Sequence, residues 1–341
     1  MENFKTIREK TYAIERAFLS PFATRSENTK GRLREEEPCA MRTDFQRDRD
    51  RIIYCKAFRR LKNKTQVFFS PEGDHYITRL THTLDVAQIS RSIARTLCLN
   101  EDLAEAIALG HDLGHTPFGH SGERILNNLC PQGFEHNVQS LRVVDVLEKD
   151  GKGLNLTFEV RDGIVNHKKS GHPATLEGKC VSYADRIAYI NHDLNDAIRA
   201  GILKLSDVPA DIFKVLCSCS TERINTAITS IYKNSAGKND VKMDEQVEKA
   251  SEDLRAFMFD RVYLSKTAKS EETKAERMLY EMYSYFMSAP EDLPQTYISL
   301  LDNFSREQVV CDYLSSMTDR YAIYMFNKIF VPKGWTFIDE K

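Results

Sequence analysis

The sequence predicts an all-α protein, and three observations carry that expectation. The 341 residues include only fifteen glycines and ten prolines, apolar side chains recur at spacings of three and four along most segments, and strict alternation is confined to two short stretches. Hydrophobic residues make up 41% and charged residues 29%, a globular composition rather than a disordered one. Such a length gives about two ordinary domains, or one large helical core with elaborations.

Along the chain, Gln66 to Tyr76 reads as a small β-hairpin, with Val67, Phe68 and Phe69 leading into a Pro71-Glu72-Gly73-Asp74 turn. Leu84, Ile89, Ile93, Ala94 and Leu97 share one face of a helix, with His82 just ahead of it. A second helix runs from about Asp102 to Leu113 with His111 late in it, and Thr116-Pro117-Phe118-Gly119 breaks the pattern before a new helix near His120. Further helices are expected near 136–149, 175–200, 206–232 and 244–262, with shorter ones in the last eighty residues. Alternation at Leu154, Leu156, Phe158 and Val160 fits either a strand or the approach to a helix capped by Thr157. The polar, turn-rich stretch 233–240 is the one plausible boundary, dividing a core of residues 1–232 from a C-terminal helical region of residues 233–341 packed on it.

Charge and cysteine usage narrow the class. Forty-eight Lys and Arg nearly cancel fifty Asp and Glu, so a net charge of −2 announces neither nucleic acid nor a membrane surface. No stretch approaches the roughly 18 to 20 apolar residues of a membrane span, and Glu2, Lys5, Arg8, Glu9 and Lys10 stand where a signal peptide is apolar, so a cytoplasmic protein with no membrane partner is expected. Eight scattered cysteines without a CxxC pair read as reduced and structural. Arg42 to Lys64 holds nine Lys/Arg against three Asp/Glu; such a run is commonly a solvated face, and it also suits a polyphosphate, a nucleotide effector or weak binding of single-stranded nucleic acid.

The chemistry concentrates in the histidines. Six of nine (82, 111, 115, 120, 136, 167) fall between residues 82 and 167, and His111-Asp112-Leu113-Gly114-His115-Thr116-Pro117-Phe118-Gly119-His120-Ser121-Gly122-Glu123 is polar where a core helix is apolar. Adjacent His111 and Asp112 sit about 100° apart on a helix and can lean toward one point. Imidazole and carboxylate suit Mn, Mg, Fe, Ni or Zn, but two neighbours cannot complete a coordination sphere; His82 and Asp185 are the best further candidates. Two nitrogen and two oxygen donors leave positions for water or phosphate, as an open catalytic site does. His115 repeats the His111 face one turn later, while His120 and Glu123 at i, i+3 place a carboxylate where it can orient an imidazole. An isolated His-Asp dipeptide is ordinarily a hydrogen-bonded surface pair, and it is the extended string that changes the odds.

With these residues set out, the sequence resembles a known family. Arg79-Leu80-Thr81-His82, His111-Asp112 and Ala184-Asp185-Arg186 follow the H…HD…D pattern of HD-domain metal-dependent phosphohydrolases. Gln46 to Arg51, Lys56 to Leu61, Gly73 to Tyr76, the string from 111 to 123, Gly133 to Asn137 and Asp185 to Asp193 resemble the deoxyguanosinetriphosphate triphosphohydrolase-like branch; the match runs nearly continuously over residues 5 to 203 and returns at Met317 to Ala322.

The resemblance implies an HD helical core, one divalent metal ion, and hydrolysis of a deoxynucleoside triphosphate to deoxynucleoside and tripolyphosphate by water attack at the α-phosphorus. It gives the metal to His82, His111, Asp112 and Asp185, the catalytic dyad to His120 and Glu123, phosphate contacts to His115 and His136, cationic contacts to Arg79 and Arg186, and the sugar to Gln66, Tyr189 and Asp193. It also implies a homo-oligomer, a hexamer being one form. A histidine poised by a carboxylate has the pKa range to protonate the leaving 5′-oxygen near neutrality, so His120 is the expected general acid.

Two other readings compete. A different HD nucleotidase or phosphodiesterase would need the four ligands but not the extension through Glu123, and a nucleotide or nucleic-acid sensor has no use for the full histidine set. No P-loop and no GxGxxG occurs. His75 and His192 receive no chemistry; His167 and His172, flanking Lys168-Lys169-Ser170-Gly171, read as exposed or behind the site.

Overall fold

A computed structural model describes residues 4–66, 77–263 and 266–333. The described residues are mainly helical, and β pairing among them amounts to two isolated bridges, Arg32 with Thr157 and Thr65 with Thr78. The hairpin expected at Gln66 to Tyr76 lies outside the described residues except for Gln66. No described helix is long and apolar enough to cross a membrane.

The elements are α1 (Ile7–Phe18), α2 (Asp44–Tyr54), α3 (Lys56–Arg60), α4 (Arg79–Thr96), α5 (Glu101–Gly110), α6 (Gly119–Leu129), α7 (His136–Arg142), the short α8 (Glu148–Gly151), α9 (Phe158–Val165), α10 (Leu176–Arg199), α11 (Ala210–Leu216), α12 (Ser220–Ser235), α13 (Glu245–Met258), α14 (Lys266–Ser288), α15 (Gln295–Ile298), α16 (Arg306–Ser316) and α17 (Asp319–Phe330).

Several boundaries differ from the sequence reading for identifiable reasons. Helix α4 begins before His82, because Thr78 and Thr81 form a reciprocal capping box and start the helix at Arg79, so His82 lies in its first turn. Helix α5 ends at Gly110, leaving His111 to His115 on a tight turn, so the helical repeat from His111 to His115 does not hold. The helix expected over 206–232 is two helices, broken where Cys217 takes a left-handed φ of 67°. The ambiguous stretch near 157 resolves as α9, with Thr157 at its N-cap and its N–H donating to Asp48 at 2.8 Å.

Three apolar clusters organise the fold. The first joins α2, α4, α5, α9 and the first half of α10 through Phe45, Ile52, Ile93, Leu103, Ile107, Ile164 and Val181. Each such fully buried aliphatic side chain stabilises the fold by about 1.5–3 kcal/mol. The second joins α6 to α14, α16 and α17 through Phe118, Leu126, Leu279, Phe286, Leu314 and Ala322. The third packs the end of α10 on α11 and α13 through Leu194, Ile212, Leu216 and Leu254. Sequence order does not follow these clusters: α6 lies early in the chain yet packs with its last helices, and Val241 and Met243 pack in the first cluster.

The basic run is largely answered within the chain. Arg42 pairs with Asp50, Arg47 and Arg51 with Glu36, and Arg49 with Asp102. Lys64 is not on a solvated face at all; it is 2% exposed, and its Nζ donates to the carbonyls of His115 and Ser315.

Candidate metal centre and active site

Helices α4, α5 and α10 of the first cluster converge on one point. His82 comes from the first turn of α4, His111 and Asp112 from the turn that ends α5, and Asp185 from the middle of α10. His82 Nε2 lies 3.1 Å from Asp185 Oδ1, and His111 Nε2 lies 3.8 Å from both Asp185 Oδ1 and Asp112 Oδ1. One donor atom each from His82, His111 and Asp112 falls within a 4.8 Å group.

The second ring nitrogens of both histidines are already committed. His111 Nδ1 lies 2.6 Å from the Ala108 carbonyl, which can only accept, so Nδ1 carries the proton and Nε2 offers its lone pair to the cluster. His82 Nδ1 faces His192 Nδ1 at 3.5 Å, and His192 Nε2 pairs with Asp85 at 2.8 Å, a relay that again turns a bare Nε2 inward. Burial keeps His82 neutral by lowering its pKa. Burial alone would raise both carboxyls; for Asp112 the Arg79 guanidinium and nearby imidazoles outweigh it, for Asp185 the His82 contact and His111 do, and both stay well below the usual carboxylate range. His82, His111 and Asp112 form a three-donor group, and the ionised Asp185 beside both imidazoles can add a second carboxylate, a donor set that fits a divalent first-row metal.

A second group of side chains lies beside this cluster. Gly114 and Gly122 allow the chain to fold tightly here: a Cβ on Gly114 would meet the Ser140 backbone at 2.2 Å, and one on Gly122 the Pro117 carbonyl at 2.0 Å. Ser140 holds the turn by donating to the His111 carbonyl at 2.7 Å and accepting from Gly114 N–H at 2.9 Å. Phe118, with φ 61°, turns the chain into α6, and its N–H donates to Asp319 Oδ1 at 3.0 Å. Asp319 Oδ2 in turn accepts from the N–H and hydroxyl of Thr65 at 3.1 and 2.6 Å.

The histidines of this group form an arc. His115 stacks on His136 with ring centroids 4.9 Å apart, and His120 stands 6.0 Å from His115. Glu123 is shared: its Oε1 accepts from His136 Nδ1 and from the His136 backbone N–H, both at 2.9 Å, while its Oε2 lies 3.7 Å from His120 Nδ1. Burial pushes the Glu123 carboxyl up, but the His120 and His136 contacts dominate and keep it ionised. His120 is 64% exposed, at the mouth of the site. Burial and Arg79 depress the pKa of His115 well below that of a free imidazole.

His82, Asp112 and Asp185 of the first group and His115, His120, Glu123 and His136 of the second line one cleft of about 700 Å³ together with Gln66, Arg79, Arg186 and Tyr189. Arg79 is nearly buried and bound to Asp112 Oδ2 at 2.6 Å, so part of its charge is answered by a centre residue. Arg186 pairs with Glu248 at 3.2 Å and lies over the Tyr183 ring. Asp193 and Tyr189 interact with each other; burial raises the pKa of both.

Sequence reasoning missed four participants. His167, read as exposed or behind the site, is 2% exposed and lines the cleft, with its ring 5.0 Å from His111 and Nε2 3.3 Å from His136 Nε2. Burial, with His111 and His136 beside it, pushes its pKa down to about 3. Its place in the histidine cluster of the sequence was the available signal. His192 and Asp319 sat inside matched strings without a role, and Lys64 was hidden in the basic run.

Such a helical core with this site is that of an HD-domain phosphohydrolase, and comparison with known proteins agrees. Residues 79–190 match the HD domain model and residues 241–328 the phosphohydrolase-associated domain. A phosphohydrolase from Bacteroides thetaiotaomicron has the same fold, with a TM-score of 0.52 and 19% identity over 83% of this chain and 68% of that one. Deoxyguanosinetriphosphate triphosphohydrolase-like proteins of Caldanaerobacter subterraneus and Clostridium tetani are 55% and 48% identical, each over 96% of this chain and 97% of its own length. One from Desulfatibacillum aliphaticivorans is 49% identical over 96% of this chain and 99% of its own. The chain belongs to the deoxyguanosinetriphosphate triphosphohydrolase-like family.

Proposed function

We propose that the protein hydrolyses deoxynucleoside triphosphates, dGTP among them, to deoxynucleoside and intact tripolyphosphate. The observation that carries this reading is a His/Asp donor cluster, with Asp185 beside it, next to a carboxylate-backed histidine arc along one cleft. His82, His111, Asp112 and Asp185 would hold a single divalent ion, which supplies Lewis-acid polarisation of the α-phosphate and of the attacking water.

The chain's own groups do the rest. Water adds to the α-phosphorus and releases a proton to solvent, the bond from phosphorus to the 5′-oxygen breaks, and His120, oriented by Glu123, gives that oxygen a proton and regains one from solvent. His115 and His136 face the phosphates, and Arg79 and Arg186 offset their charge. Gln66 and Tyr189 line the end where a sugar would lie, and the buried Asp193, hydrogen-bonded to Tyr189, has a raised pKa, so that its carboxyl can donate as well as accept a hydrogen bond.

The test is product analysis of the Mn(II)-loaded protein with each dNTP. Deoxynucleoside plus tripolyphosphate is the expected pair; stepwise release of orthophosphate or pyrophosphate overturns the reading.

A further inference from the structure

Lys64 stands where three parts of the cleft meet. Its backbone carbonyl accepts from the Arg79 N–H at 3.0 Å, at the start of α4, and the next residue, Thr65, bridges to Thr78. Gln66 follows two residues on and lines the cleft. A Cβ on Gly119 would lie 3.4 Å from the Gln66 carbonyl, so this segment runs against the turn that carries His115 and leads to His120. The lysine side chain adds a third tie, its Nζ donating to the carbonyl of His115 and, at 2.7 Å, to that of Ser315 on α16.

Lysine is a costly residue for such a corner. At 2% exposed it has lost its water, and burial, helped by the Arg60 charge, pushes its amine well below the ordinary pKa. A neutral amine keeps two N–H donors, and two carbonyls accept them. A methionine would fill similar space without the desolvation cost but would take this donor from both carbonyls. The His115 carbonyl belongs to the peptide leading into Thr116, so holding it holds the backbone from which the His115 ring projects, stacked on His136 and 6.0 Å from His120. Asp319 secures the same turn at the Phe118 N–H and grips Thr65 as well, so residues 64–66 and the turn are clamped together onto α16 and α17.

We propose that Lys64 is a positioning residue, whose amine holds the His115 backbone while its own backbone holds Arg79 and Gln66, so that the groups facing the phosphates and the sugar end meet one substrate in register. It acts through these neighbours and touches no reacting atom. A misplacement of about 1 Å by a residue remote from the chemistry can cost about 10²-fold in rate. The inference rests on the reading above for the substrate and for the roles of His115, Arg79 and Gln66.

Steady-state kinetics of the Mn(II)-loaded full chain on the dNTP it turns over fastest, with Mn(II) affinity measured separately without nucleotide, test it. Lys64→Met should lower kcat about 10–10²-fold with KM and Mn(II) affinity unchanged, the pattern of groups misaligned for the transition state alone. Lys64→Gln keeps two N–H donors on a side chain one bond shorter and should fall between Lys64→Met and the unmodified protein, an order that lost packing alone would not produce. Unchanged kcat in Lys64→Met, Mn(II) affinity falling in step with kcat, or Lys64→Gln as slow as Lys64→Met overturns the proposal while the hydrolase reading stands. If Lys64→Met does not fold, Lys64→Gln decides: a lower kcat at unchanged Mn(II) affinity supports the role, and an unchanged kcat overturns it. Failure of both variants to fold makes the lysine a structural residue and overturns it too. An unmodified protein that hydrolyses no dNTP overturns both readings.

Discussion

The two halves of the cleft are built in different ways. His82, His111, Asp112 and Asp185 stand on or at the end of helices of the first cluster, and their orientation is fixed by short local contacts such as His111 with Ala108. His115, His120 and Glu123 ride on a glycine-bearing turn and on α6, whose apolar side packs in the second cluster against α14, α16 and α17, while His136 opens α7. Residues near the C-terminus hold that turn: Asp319 on Phe118 and Thr65, and Ser315 on Lys64, which also grips His115. Metal capture and proton transfer therefore depend on separate packing units, and damage to one should spare the other.

The sharpest way to break this contrast is to remove a donor. His111→Ala should lose the metal and reduce turnover to background, read by metal content and rate together; a variant that keeps its metal contradicts the four-donor centre. Next in size is His120→Ala, which should keep its metal while turnover falls about 10²–10⁴-fold, the usual contribution of a general acid. If metal binding falls in parallel, the halves are not separable.

Deeper in the second unit, Phe286→Ala should cost about 3–5 kcal/mol in denaturant unfolding, because a fully buried ring leaves a cavity. Asp319→Ala should cost about 1–3 kcal/mol by orphaning buried donors, and should lower turnover with Mn(II) affinity unchanged. Loss of Mn(II) affinity in Asp319→Ala would show that the second unit reaches the metal centre.

The smallest effect belongs to the rim of the first unit. Partial burial raises the Glu36 carboxyl, but hydrogen bonds from Arg51 and Asn155 and the Arg51 charge outweigh it and hold its pKa at about 2, below the ordinary 4.5. A depressed carboxyl contributes stability above its unfolded pKa and loses it as the pH falls through the folded one. Glu36→Gln should flatten the fall in Tm between about pH 4.5 and about pH 2, and an unchanged acid limb would remove Glu36 from the account.

Apolar spacing of three and four was enough to predict helices at α4, α5, α10 and α13, since an amphipathic face is a property of the local sequence. The H…HD…D positions and the string ending at Glu123 were legible for the same reason: residue type and order carry them. What the sequence could not convey was partnership. His136 stands closer to Glu123 than His120 does, His167 faces the cleft rather than solvent, and a lysine in a charged run lies buried between two carbonyls. Such pairings join residues up to 251 positions apart, and they arise only when helices distant in the chain are packed together. Local sequence determined the helices and the chemical types available to the site. Packing alone decided which imidazole meets which carboxylate, because hydrogen-bond and coordination distances are fixed by three-dimensional approach, which spacing along the chain does not encode.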